Sequence, residues 1–92
     1  MYIVLVYDVS QEENGARRWS RIFKICKKYL THIQNSVFEG ELSEVRLKEL
    51  LLLAKGFMNP EEDCIIIFKG ATQCSLEKEI VGKELANIDN FL

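Results

Sequence analysis

Met1-Tyr-Ile-Val-Leu-Val-Tyr-Asp-Val-Ser10 opens the chain with an unbroken apolar run, Tyr2 to Tyr7, that ends on one carboxylate, Asp8. The run is far too short to span a membrane and has the length of a strand buried on both faces. A carboxylate at the mouth of such a strand must be solvated, paired or metal-bound, because burying it alone is prohibitive. Cys64-Ile-Ile-Ile-Phe68 repeats the pattern near the other end of the chain. Two buried strands therefore frame whatever lies between them.

Ser10-Gln-Glu-Glu13 has the S-x-x-E form of a capping box, and Asn14 offers a second start because Gly15 weakens the first turn. A helix then runs to about Tyr29. Trp19, Ile22, Phe23, Cys26 and Leu30 share one apolar face. Arg17, Arg21, Lys24 and Lys28 share another. His32 to Gln34 and Val37-Phe38 read as two short strands, with Asn35-Ser36 as a bend or bulge between them. Ser43 caps a second helix, Leu42 and Leu47 form its hydrophobic staple, and Gly56 stops it. Glu79-Ile-Val-Gly-Lys83 reads as a further, exposed strand. The order is β-α-β-β-α-β plus a tail, the split βαβ or ferredoxin-like pattern: an α+β fold with an antiparallel sheet and both helices on one face.

At 92 residues and 48% hydrophobic content the chain is a single globular domain with little surplus stability. Pairing with a second copy would add to it, so a homodimer fits. Cys26, Cys64 and Cys74 contain no CxxC pair, and Cys26 and Cys64 lie within apolar patterns, as reduced core thiols of an intracellular protein do. No basic segment precedes the first apolar run as in a signal peptide, and no segment has the length of a membrane helix. The expectation is a soluble, cytoplasmic protein.

The formal net charge is −2, yet residues 16–29 hold Arg17, Arg18, Arg21, Lys24, Lys27 and Lys28 without an acid. Such a stripe is either a solvated helix face or a set of phosphate contacts that position a nucleic acid. One histidine, His32, and the lack of GxSxG, HExxH and GxxxxGK[ST] patterns remove triad hydrolysis, zinc hydrolysis and P-loop phosphoryl transfer. Carboxylate-plus-metal chemistry or binding alone remains. Asp8 reads either as a strand-end acid helping to cap the next helix or as a ligand of Mg²⁺ or Mn²⁺, ions that bind few carboxylates and keep several waters. His32 reads as a strand residue with a surface hydrogen bond or as a proton donor and acceptor. Phe38 belongs either to the core or interface, or to a surface where it stacks on a base.

Tyr7-Asp8-Val9-Ser10, the basic helix and Gln34-Asn-Ser-Val-Phe-Glu-Gly40 together resemble the CRISPR-associated protein 2 family. The resemblance covers residues 1–69, the core. Residues 70–92, with Glu77 to Gly82 and Ile88 to Leu92, look like the family's C-terminal arm. That resemblance implies a symmetric homodimer with sheets face to face, the arm of each protomer joining its partner's sheet. It implies that Asp8 of both chains flanks a shared Mg²⁺ or Mn²⁺. The implied activity is metal-dependent cleavage of single-stranded RNA or double-stranded DNA, alongside spacer acquisition in adaptive antiviral immunity. On this chain the implied substrate contacts are Arg17, Arg21, Lys24 and Phe38, while His32 stands where many relatives have arginine. The alternative role is a non-catalytic adaptor that bridges CRISPR integrase units and supports duplex DNA.

Overall fold

The computed structural model describes residues 1–72 and Glu79. The elements along them are strand β1 (Tyr2–Asp8), helix α1 (Gly15–Tyr29), strands β2 (Thr31–Gln34) and β3 (Val37–Glu41), helix α2 (Glu44–Lys55) and strand β4 (Cys64–Gly70). The strands form one sheet in the order β2-β3-β1-β4, and every neighbouring pair is antiparallel. β1 and β2 therefore run parallel with β3 inserted between them, which is the split βαβ arrangement. The ferredoxin-like order expected from the sequence is the one formed. Cys74, the expected strand over 79–83 and all of the proposed arm beyond Thr72 except Glu79 lie outside the described residues.

Strand alternation sorts β1 into two faces. Ile3, Leu5 and Tyr7 are at most 1% exposed and pack with Ile22 and Cys26 of α1 and Leu47 and Leu50 of α2. Both helices therefore cover one side of the sheet. The opposite side carries Tyr2, Val4, Val6 and Asp8, and beside them in register Gly70, Phe68, Ile66 and Cys64 of β4. Here the expectation of strands buried on both faces is corrected. Ile66 and Phe68 are 48% and 52% exposed, because the described elements supply a cover for one side only. Cys64, expected in the core, is exposed on this uncovered side, whereas Cys26 is buried as expected.

α1 begins at the second of its two sequence starts. Asn14 is the N-cap in the left-handed region (φ 65°), and Glu13 beside it is also left-handed (φ 44°). The capping box does not form. The Ser10 hydroxyl instead accepts from the Glu12 backbone N–H at 3.2 Å, a local turn inside the β1–α1 loop. Gly15 is required where the loop closes, since a Cβ there would lie 1.9 Å from the Ser10 carbonyl oxygen. α2 follows its sequence signals: the Ser43 hydroxyl accepts from the Arg46 N–H at 3.1 Å, and Leu42 and Leu47 are both buried.

Candidate active site

Asp8 closes β1, and its register partner is the first residue of β4, Cys64. Its carboxylate is exposed on the uncovered sheet side and has no hydrogen-bond or ion-pair partner among the described residues. It is the only carboxylate on either β1 or β4. The surrounding wall is apolar, with Val6, Ile66 and Val37 in adjacent register positions. Among the described residues no group of three or more His, Cys, Asp or Glu side chains gathers as a metal cluster. The donor set within one protomer is thus a single hard oxygen ligand open to water. That fits a hard cation such as Mg²⁺, which takes one or two carboxylates and fills its remaining positions with water or phosphate oxygen.

Immediately behind Asp8 the chain is braced by a buried acid that sequence reasoning gave no role. Asp63, 8% exposed, is the buried charged residue among those described. Its carboxylate accepts from Arg18 Nε at 2.8 Å and Nη2 at 3.2 Å, from the Asn59 N–H at 2.8 Å and from the Ser10 N–H at 3.1 Å. Burial alone would push this carboxyl up, but the Arg18 guanidinium and the two backbone donors outweigh it and hold it below the usual aspartate range. Asp63 raises Arg18 in return. Arg18 also donates to the carbonyls of Glu12 and Glu13. A signal for this pair does exist in the sequence. Arg18 is in helical phase with Ile22 and Ile25, so it faces the core and needs a counter-charge.

The remaining site candidates separate. Arg17, Arg21, Lys24 and Lys28 are exposed along one side of α1, as their spacing predicts. The Arg21 guanidinium lies 5.2 Å from the centre of the Phe57 ring, which fixes the stripe's middle against the end of α2. Phe38 does not join them. It is wholly buried, its ring 6.2 Å from Tyr7 and 5.3 Å from Phe23, so it has no face to offer a base and its assignment as a substrate contact is corrected. Its parity on β3 places it opposite Leu5, on the helix side of the sheet. His32 sits beside it, 5.1 Å ring to ring, with Nε2 2.8 Å from the Asn35 carbonyl, an arrangement that places a proton on Nε2.

Five residues from Gln34 to Gly40 have structural roles. Asn35 makes the tight turn (φ 39°), the Ser36 carbonyl accepts from the Tyr7 N–H at 3.1 Å, and Phe38 fills the core. Glu39 accepts from the Tyr2 hydroxyl, and Gly40 gives Leu30 room. This segment thereby pins the end of β1 from the β3 side, as Asp63 does from the β4 side.

A family model described as CRISPR associated protein Cas2 matches residues 1–78. The chain belongs to the Cas2 family. A CRISPR-associated endoribonuclease Cas2 of Fusobacterium nucleatum is 50% identical over 92 residues, spanning 100% of this chain and 87% of the relative. One from Thermotoga maritima is 36% identical over 92 residues, 100% and 99% of the two chains. The crystal structure of Streptococcus pyogenes Cas2 at pH 6.5 shares the fold with a TM-score of 0.79 at 24% identity, over 89% of this chain and 100% of that one. A second Cas2 crystal structure, 37% identical, has a TM-score of 0.77 and covers 91% and 88%. Cas2 membership thus agrees with the split βαβ order. No helix among the described residues is long and apolar enough to cross a membrane.

Proposed function

We propose that this Cas2 chain is a metal-dependent endoribonuclease whose reacting centre is built on Asp8. The observation that carries the reading is the placement of that carboxylate: exposed, unpartnered, at the end of the central strand and rigidly backed. A Mg²⁺ or Mn²⁺ held there would activate water and neutralise the charge that develops on the phosphate. Asp8 would hold and orient the ion, whose remaining positions stay open to water and to phosphate oxygen because Asp8 is exposed. Arg17, Arg21 and Lys24 hold the RNA backbone by its phosphates without reading its bases. A single carboxylate is a weak anchor for a divalent ion. A second copy packed on the uncovered sheet side supplies a second Asp8, so the active form is a homodimer.

The decisive comparison is wild type against Asp8→Ala and Asp8→Asn, purified identically and given single-stranded RNA across a Mg²⁺ series. Both variants are expected to lose at least about a hundredfold in cleavage rate with the fold intact. Cleavage at the wild-type rate by clean Asp8→Ala overturns the reading.

The exposed acid-free stripe on α1 favours a second role for the same dimer, as an adaptor that supports duplex DNA between CRISPR integrase units in spacer acquisition. That role needs the stripe and leaves Asp8 idle. Asp8→Ala that fails to cleave yet sustains spacer integration separates the two.

A further inference from the structure

Among the described residues Asp8 is held by its backbone alone. Among the described residues no donor reaches its carboxylate, so its position is set by whatever fixes the chain on either side. Up to Asp8 the β1 ladder does this, ending on the β3 side with the Tyr7 N–H on the Ser36 carbonyl and running on the β4 side as far as Asp8 opposite Cys64. On the C-terminal side the tether is the Ser10 N–H on Asp63, two residues beyond Asp8, and Asp63 immediately precedes Asp8's register partner Cys64. One buried carboxylate therefore secures both strands of the pair that carries the reacting group. Arg18 completes the brace from α1 through the bidentate contact to Asp63 and the contacts to Glu12 and Glu13.

We infer that the Arg18–Asp63 pair is the positioning device of the active site, locking the β1–α1 and α2–β4 loops so that Asp8 is presented in one place. The inference rests on the reading of Asp8 as the reacting carboxylate. Burial keeps the pair itself out of contact with substrate: the side chains are 15% and 1% exposed, and each neutralises the other. The adjacent arginines thus divide the work, Arg17 facing solvent and Arg18 facing the brace. Lysine cannot replace Arg18, because an ammonium makes a point contact whereas the guanidinium fork spans the carboxylate and both loop carbonyls.

The test uses Arg18→Lys and Asp63→Asn in the full chain, with Ser43→Ala as the control. Ser43 caps α2 at the opposite end of β1, where the Leu42 N–H meets the Met1 carbonyl, so its loss weakens the fold without touching the brace. Circular dichroism and thermal melts set an assay temperature at which all three are folded. Single-turnover and steady-state cleavage then separate kcat from KM. Arg18→Lys and Asp63→Asn are expected to lose about tenfold to a hundredfold in kcat with KM for RNA within about twofold, since small misplacement of a reacting group costs rate rather than affinity. The Ser10 amide should also exchange faster with solvent in both variants, a readout independent of activity. Ser43→Ala is expected to melt earlier and cleave normally. Wild-type kcat in the two brace variants, equal kcat loss in Ser43→Ala, or an unchanged Ser10 amide overturns the inference. If Asp8→Ala cleaves normally, the reading of Asp8 falls instead, and the two failures stay distinct.

Discussion

At the scale of single residues, this protein keeps two thiols in opposite environments. Cys26 is wholly buried on α1, and burial pushes its thiol up to about 12, so the reactive thiolate is scarce at neutral pH. Cys64 is exposed at the start of β4, in register with Asp8. A thiol reagent followed by peptide mapping should therefore label Cys64 at least about a hundredfold faster than Cys26 in the folded monomer, where no partner covers β4. Both should react alike in denaturant. Native labelling of Cys26 at the rate of Cys64 would show that α1 opens from the sheet, contrary to the packing of Ile22 and Leu5 around it. The same contrast explains two expectations that the structure corrects, those for Phe38 and Cys64. Phe38 and Cys64 both sit in strands, and only the register tells which side each faces. A one-residue change of parity exchanges core for surface.

At the scale of elements, α1 carries two kinds of cation in one run, and helical phase separates them. Arg17, Arg21, Lys24 and Lys28 recur at positions that stay on the solvent side, while Arg18 falls in line with Ile22 and Ile25. Replacing Arg17, Arg21 and Lys24 together by glutamate should weaken single-stranded RNA binding and flatten its salt dependence by about 0.7 in log–log slope per lost contact. Filter binding or fluorescence anisotropy across a salt series measures this. An unchanged slope would make the stripe a solvated face and remove its part in the proposed function. The element order and the α2 cap were legible in the sequence because their signals are local: an apolar run, a Ser43 hydroxyl, a Leu42–Leu47 staple. The start of α1 was less legible. Its Ser10–Glu13 pattern is sound locally, but the Ser10 N–H goes to Asp63 and the carbonyls of Glu12 and Glu13 go to Arg18. Asp63 lies more than fifty residues from Ser10, and no local pattern records a partner that distant. Asp8 was visible as an acid closing an apolar strand, whereas the brace behind it required the fold.

At the scale of the whole molecule, one side of the sheet is left uncovered by the described elements. Val4 and Val6 run down β1 beside Phe68 and Ile66 of β4, the latter two about half exposed, with Asp8 at the far end. Exposed apolar clusters of this kind mark interaction surfaces. A symmetric partner on this side would dry the patch and bring a second Asp8 toward the first. Facing carboxylates repel one another until a cation lies between them, so metal binding and pairing should reinforce each other. Phe68→Glu tests this without touching the reacting group, because Phe68 is in register with Val4, four residues or about 13 Å along β1 from Asp8. A buried, unpaired carboxylate is costly enough to raise the dimer dissociation constant at least about a hundredfold. Sedimentation equilibrium should then show a dimer for wild type and a monomer for Phe68→Glu, with RNA cleavage lost alongside the dimer. A Phe68→Glu dimer of wild-type strength would place the contact elsewhere on the molecule. A monomer that still cleaves at the wild-type rate would mean that one Asp8 carboxylate, with water and phosphate as its fellow ligands, is sufficient for the metal.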